Sequence, residues 1–170
     1  ERCIFPLGRA LVKNGHTSII IASADEENYL VKRLKRDGNI YHQLYMNKKS
    51  WLSLLQVAPL RRLIEKYDPD VIHVHSRTPA WILHLALRRA RLKRRPKLVS
   101  TMYGFYPINK YSQALLDVDT IITVSDSVTN YLKKGLRREE LEPKVIKRIY
   151  RGIDTRRYPY RHNPSVYWLR

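Results

Sequence analysis

Six short apolar runs, rich in β-branched residues, recur along the chain: Ser18–Ala22, Ile40–Tyr45, Val71–His75, Leu98–Met102, Thr120–Val124 and Val145–Ile149. Several are nearly continuous in Val, Ile and Leu rather than alternating. Strands covered on both faces, as in a parallel sheet, have this appearance. Segments with helical spacing lie between them. Phe5–Asn14 places apolar side chains at Phe5, Leu7, Leu11 and Val12, with Gly15 as a stop. Glu26–Asp37 opens on acids and closes on Lys32, Arg33, Lys35 and Arg36, which suits the helix dipole. Ser50–Tyr67 carries Leu54, Leu55, Leu60, Leu63 and Ile64, and Pro59 is expected to break or kink it. Pro79–Leu92 reads as a buried helix with a basic last turn, and Asp126–Leu136 follows Ser125, a suitable N-cap. Strand–helix alternation implies βαβ units with right-handed crossovers. The expected fold is α/β, a Rossmann-like parallel sheet flanked by helices.

Composition narrows this picture. The chain has 170 residues, a length suited to one domain, and 44% of them are hydrophobic, which argues against disorder. No apolar stretch approaches the roughly 20 residues of a membrane-spanning helix. A single cysteine, Cys3, leaves no intramolecular disulfide framework and no Cys-based zinc cluster. The net charge of +18 selects polyanionic partners: nucleic acid, anionic lipid headgroups or phosphorylated small molecules. The opening at Glu1 without Met and the ending at Arg170 without a closing element suggest a piece of a longer protein. Arg151–Pro164, which holds Gly152, Pro159 and Pro164, is the one expected linker.

In an open α/β sheet, ligands bind beyond the carboxyl ends of the strands, so the residues after each run are the informative ones. His73 and His75 alternate and share one face of a strand. They suit either a metal pair, for which no third ligand lies nearby in sequence, or imidazoles hydrogen-bonded within the sheet. His75 and Arg77 stand at the strand tip, where a guanidinium can meet a phosphate or a sugar hydroxyl. The segment Met102–Ser112 is dense in rings and hydroxyls. Gly104 there permits an unusual backbone or a close ligand approach. Phe105 and Tyr106 can stack on a sugar ring or simply plug the core. Ser125 opens a helix whose free N–H groups suit an anion, or it merely caps that helix. Arg151-Gly152-Ile153-Asp154 reads as a tight turn. No GxGxxG or P-loop pattern is present, and no nucleophile elbow marks a Ser/His/Asp triad.

Taken in order, these segments resemble the amino-terminal half of family 4 glycosyltransferases, enzymes of the two-domain GT-B architecture. Glu1-Arg2 resembles the end of the family's Gly-Gly-x-Glu-Arg loop, which faces phosphate. Leu11–Thr17 resembles its helix-to-strand "GH" turn, and Pro69–Arg77 is similar to its PD-[VI]-[VI]-H-x-H-x-R strand. Gly104–Ser112 resembles the "HGFYSVNRYS" segment of bacterial members that build lipopolysaccharide and other surface glycans, with Asn109 and Tyr111 inside it. Ile122–Ser125 resembles the family's "I-x-V-S" strand end, and Val145-Ile146 with Arg151-Gly152-Ile153-Asp154 resembles its "V-I-x-x-G-[IV]-D" turn.

The resemblance implies sugar transfer from a nucleotide-sugar donor to a glycan or lipid-linked acceptor, with no cofactor beyond that donor and no essential metal. It implies a domain over residues 1–150 that faces the acceptor and an inter-domain linker starting over 151–170. The donor-binding domain, with its E-x7-E motif, is not in this sequence, so the fragment alone is expected to be inactive. The implied cleft residues are His75, Arg77, Gly104, Phe105, Tyr106, Asn109, Tyr111 and Ser125, with Glu1 and Arg2 in the phosphate loop and Arg151, Gly152 and Asp154 at the hinge. Tyr103 stands where the family usually has His; a phenol, with a reference pKa of about 10, is a poor base but a good hydrogen-bond donor.

Such enzymes often act on membrane-bound acceptors, which gives the positive charge a use at the inner face of the cytoplasmic membrane. Lys48 and Lys49 with Trp51, Leu52, Leu54 and Leu55 are one candidate contact, and Arg88–Lys97 is the other. A nucleic-acid binder is disfavoured, because no helix-turn-helix, zinc finger or RNP-type strand is visible. A non-catalytic glycan- or lipid-binding module of the same descent is the remaining alternative.

Overall fold

The computed structural model describes residues 4–46, 51–142 and 144–152. Glu1, Arg2, Lys48, Lys49 and Asp154, and the expected linker from residue 153 onward, lie outside the described residues. All six apolar runs form strands: β1 Ile19–Ala22, β2 Ile40–Gln43, β3 Val71–Val74, β4 Lys97–Met102, β5 Thr120–Thr123 and β6 Val145–Arg148. Every pairing is parallel. The ladders form two sheets rather than the single sheet expected. One is β1–β2 and the other runs β3–β4–β5–β6. Among the described residues no ladder joins β1 to β3.

Among the described residues seven helices connect or precede the strands: α1 Ile4–Lys13, α2 Tyr29–Arg36, α3 Val57–Tyr67, α4 Arg77–Leu87, α5 Lys110–Leu116, α6 Asp126–Gly135 and α7 Arg138–Leu141. The segment expected as one helix over Ser50–Tyr67 is a 3-10 turn, Trp51–Gln56, followed by α3. Pro59 does not break α3. It sits in the first turn, where its missing N–H would have had no intrahelical acceptor in any case. The expected helix Pro79–Leu92 begins earlier, at Arg77 after Ser76, and stops at Leu87, where the cation run begins. Gly38 ends α2 with φ 85°, and a Cβ there would press on Val12 at 2.8 Å, so only glycine fits both demands.

The four-stranded sheet owns the main core. Ile82, Leu83, Leu98, Met102, Leu115, Leu116, Ile121 and Leu132 are essentially inaccessible within it. Two polar side chains join its elements: Ser100 Oγ donates to the Leu115 carbonyl at 2.7 Å, and the Asp119 carboxylate accepts from the Leu98 amide at 2.7 Å. A second, smaller core of Val31, Leu34 and Tyr41 lies against the β1–β2 pair. Strand β1 serves both, because Ile21 packs against the main core while Ile20 and Ala22 pack against the small one.

Candidate functional site

The side chains singled out in the sequence gather beyond the carboxyl ends of β3 and β4. The parallel register pairs His73 with Val99 and Val74 with Ser100, so both strands end at the same rim. The chain leaves β3 through His75 and turns at Ser76 into α4. It leaves β4 through Tyr103 and Gly104.

The His73 and His75 rings lie with centroids 4.1 Å apart, tilted by 34°. His73 Nε2 is 2.7 Å from Thr101 Oγ1, and His75 Nδ1 is 2.7 Å from the Tyr103 hydroxyl. Each imidazole therefore engages a side chain of β4 or the residue after it. Burial lowers the pKa of His73, and burial together with the neighbouring His73 lowers that of His75 to about 4. Both rings are neutral at pH 7.

Arg77, in the first turn of α4, is held between two rings. Its guanidinium carbon lies 5.1 Å from the centroid of Tyr106 and 5.0 Å from that of Tyr111. Thr78 Oγ1 and the Tyr111 hydroxyl, 2.7 Å apart, fix the second ring. No carboxylate pairs with Arg77 among the described residues. A guanidinium positioned by aromatic faces and left without an acid is available to a phosphate or a row of hydroxyls.

The loop after β4 is shorter than expected, because α5 starts at Lys110. Asn109 is its N-cap, with the side-chain oxygen accepting from the Ser112 amide at 3.0 Å. Tyr111 is thus a helical residue facing α4. Gly104 does not adopt the left-handed backbone that its type allows, and a Cβ there would meet nothing within 4 Å. Its neighbourhood is open rather than strained. Phe105 does not plug the core: it is 63% exposed, its ring edge-on to Tyr131 at 5.3 Å. Tyr106 is half-buried, packing against the main core while its ring also meets Arg77. Tyr131, on α6, also donates its hydroxyl to the Tyr106 carbonyl at 2.9 Å. Nothing local in the sequence marks Tyr131, since both contacts span some 25 residues.

Ser125 caps α6, its hydroxyl accepting from the Val128 amide at 3.3 Å. The next residue, Asp126, binds Arg148 and the Tyr150 hydroxyl, so a carboxylate stands where an anion was considered. Arg151, expected only at the hinge, places its guanidinium carbon 5.0 Å from the Tyr103 ring. Gly152 beside it has open space where a side chain would be.

With this geometry in view, likeness to known proteins is informative. The family model for Glycosyltransferase Family 4 matches residues 1–157. A protein of Bacillus subtilis (strain 168) described as a glycosyltransferase, EpsD, is 28% identical over an alignment of 114 positions that covers 58% of this chain and 28% of that protein. The crystal structure of a glycosyltransferase from Rickettsia africae ESF-5 superposes with a TM-score of 0.70 at 27% identity, over 96% of this chain and 42% of that one. The chain thus spans less than half the length of either relative.

Proposed function

The chain belongs to glycosyltransferase family 4, and from that premise we propose that it supplies the acceptor-side half of an enzyme moving a sugar from a nucleotide-sugar to a glycan or lipid-linked acceptor. Residues 1–150 form that half, and 151–170 begin the linker to a donor-binding domain. Cell-surface polysaccharide or lipopolysaccharide synthesis is the setting. The place is the cytoplasm, at the inner face of the membrane.

The observation that carries this proposal is the Arg77 cradle. A cation between Tyr106 and Tyr111 offers charge to a diphosphate or hydrogen bonds to sugar hydroxyls, while ring faces nearby match the apolar face of a pyranose. The neutral His75–Tyr103 pair adds polar atoms without adding charge. Tyr103 then acts as a hydrogen-bonding group that orients a sugar, not as a base. Gly104 leaves room for a ligand to approach the backbone.

The test is kinetic. In the full-length protein, Arg77→Ala and Tyr106→Ala should each lower kcat/KM for transfer by roughly ten- to a hundredfold, followed as nucleoside diphosphate release. Unchanged turnover in both variants would remove Arg77 and Tyr106 from the site. A non-catalytic binding module, the reading that Tyr103 in place of His favours, instead predicts glycan binding without any nucleotide release.

A further inference from the structure

Away from the strand-end site, a cavity of about 690 Å3 opens along the groove between α4 and α5. Besides the Thr78–Tyr111 bond, two hydrogen bonds tie the helices along this groove. Trp81 Nε1 donates to the Tyr111 carbonyl at 2.9 Å, and the His84 Nε2 bonds the Ala114 carbonyl at 2.8 Å. The floor is apolar, made by Leu87, Leu92, Pro96, Leu98 and Ala114, with Trp81 at the wall. The rim is cationic: Arg88, Arg94, Arg95 and Lys110 line it against a single acid, Asp117.

The segment 88–97 continues this pattern. It holds seven Lys or Arg residues and no acid. All seven are exposed, while Ala90 and Leu92 are half-buried beneath them. Arg94 pairs with Asp70, and Lys97 lies 3.8 Å from Asp119. Arg88, Arg89, Lys93 and Arg95 pair with no acid among the described residues. Helix-dipole complementation accounts for one or two cations after α4, not for seven around an apolar hollow.

We propose that this α4–α5 face is a docking site for an anionic bilayer, with headgroup phosphates on Arg88, Arg95 and Lys110 and acyl chain over the apolar floor. The proposal deepens the membrane setting put forward above and rests on it. Charge complementarity selects an anionic partner, and the apolar floor selects among anionic partners. A nucleic-acid backbone would use the cations but leave the hollow unfilled, whereas a phospholipid uses both. Lys110 is the residue before Tyr111, so the face and the Arg77 cradle share helix α5 and a docked membrane would lie beside the cleft.

Vesicle sedimentation tests this. The chain should bind phosphatidylcholine vesicles containing about 30% phosphatidylglycerol, bind pure phosphatidylcholine poorly, and lose binding as salt rises. Arg88→Glu with Arg95→Glu should weaken binding at least roughly tenfold. Lys133→Glu with Lys134→Glu, an equal charge change on exposed positions of α6, should weaken it far less. In the Trp51→Phe, Trp168→Phe background, brominated acyl chains should quench Trp81 fluorescence.

Equal losses from the two double variants, or no quenching of Trp81, would overturn the site while leaving the membrane setting standing. Absence of any vesicle binding by the wild-type chain would overturn both. Retention on duplex DNA or self-association, each abolished by the Arg88/Arg95 changes while vesicles are ignored, would assign the face to another partner. Thermal melts of both double variants check that each is folded, and because these positions are exposed the melts should match wild type.

Discussion

The two sheets are built from the same βαβ unit, yet their carboxyl rims use polar side chains differently. At the end of β1 and β2, two side-chain pairs, His42 with Tyr67 and Gln43 with Tyr45, stand beside polar groups that close the backbone. Ser23 Oγ donates to the Leu44 carbonyl at 2.9 Å and accepts from the Met46 amide at 3.0 Å, while the Tyr41 hydroxyl reaches the carbonyls of Ala22 and Ala24. At the end of β3 and β4, side chains bond to side chains: His73 to Thr101, His75 to Tyr103, and Arg77 rests between rings. A strand end becomes a site when the residues after it are not needed to close the backbone. Position at the rim and paired His and Tyr side chains are shared by both sheets; a guanidinium set against two rings is not.

The largest expected effect tests whether the two regions are one cooperative unit. Ile121 is fully buried in the main core, and Ile121→Ala should cost about 3–4 kcal/mol in urea unfolding. Leu34, in the three-residue core beneath β1–β2, has fewer partners, and Leu34→Ala should cost about 2 kcal/mol. Amides of β1 and β2 should then exchange with solvent before those of β4 and β5. Equal costs and simultaneous exchange would merge the two regions into a single core.

Next in size is an acid effect confined to the second region. A base whose folded pKa lies below its unfolded value takes up its proton more readily in the unfolded chain, so stability drains as pH falls. For His75 the window runs from about 6.5, the unfolded value, down to about 4. The full loss is of the order of 3 kcal/mol. Its causes are burial and the adjacent His73, whose own pKa is also lowered by burial. Urea unfolding at several pH values between 4 and 7 should show a shallower decline for His75→Asn than for wild type. Parallel declines would mean that His75 is as well solvated as a free imidazole. The corresponding change in the first region, Ser23→Ala, should cost about 1 kcal/mol for its two hydrogen bonds and be indifferent to pH.

Much of this contrast is legible in the residues themselves. The strand runs stand out because parallel strands are apolar on both faces, and each begins within a residue of its observed start. They end one or two residues early, at Gln43, Val74, Thr123 and Arg148, because the last apolar residues already belong to the rim. Helix α5 escapes notice because seven residues give barely two turns of periodicity, although Asn109 three positions before Ser112 is a capping signal. Pro59 misleads when it is read as a breaker without asking which turn it occupies. His75 and Arg77 are legible because the strand-end rule points to them. Tyr131, the Arg151 contact with Tyr103 and the α4–α5 cavity are not, since each joins segments far apart in sequence.

Gly104 gives the finest test of the contrast. Glycine after a strand or helix is ordinarily kept for its backbone, as at Gly38, where φ is 85° and Val12 blocks a side chain. Gly104 meets neither condition, so the fold has no use for its missing Cβ. Gly104→Ala should therefore leave stability within about 0.5 kcal/mol of wild type. Gly38→Ala, at a strained and crowded position of the first region, should cost well over 1 kcal/mol. If Gly104→Ala keeps the melting curve but raises KM for transfer in the full-length protein, the open space beside Tyr103 belongs to a ligand. If it instead unfolds the chain as Gly38→Ala does, the fold depends on the rim of the second sheet as much as on that of the first, and the difference between them disappears.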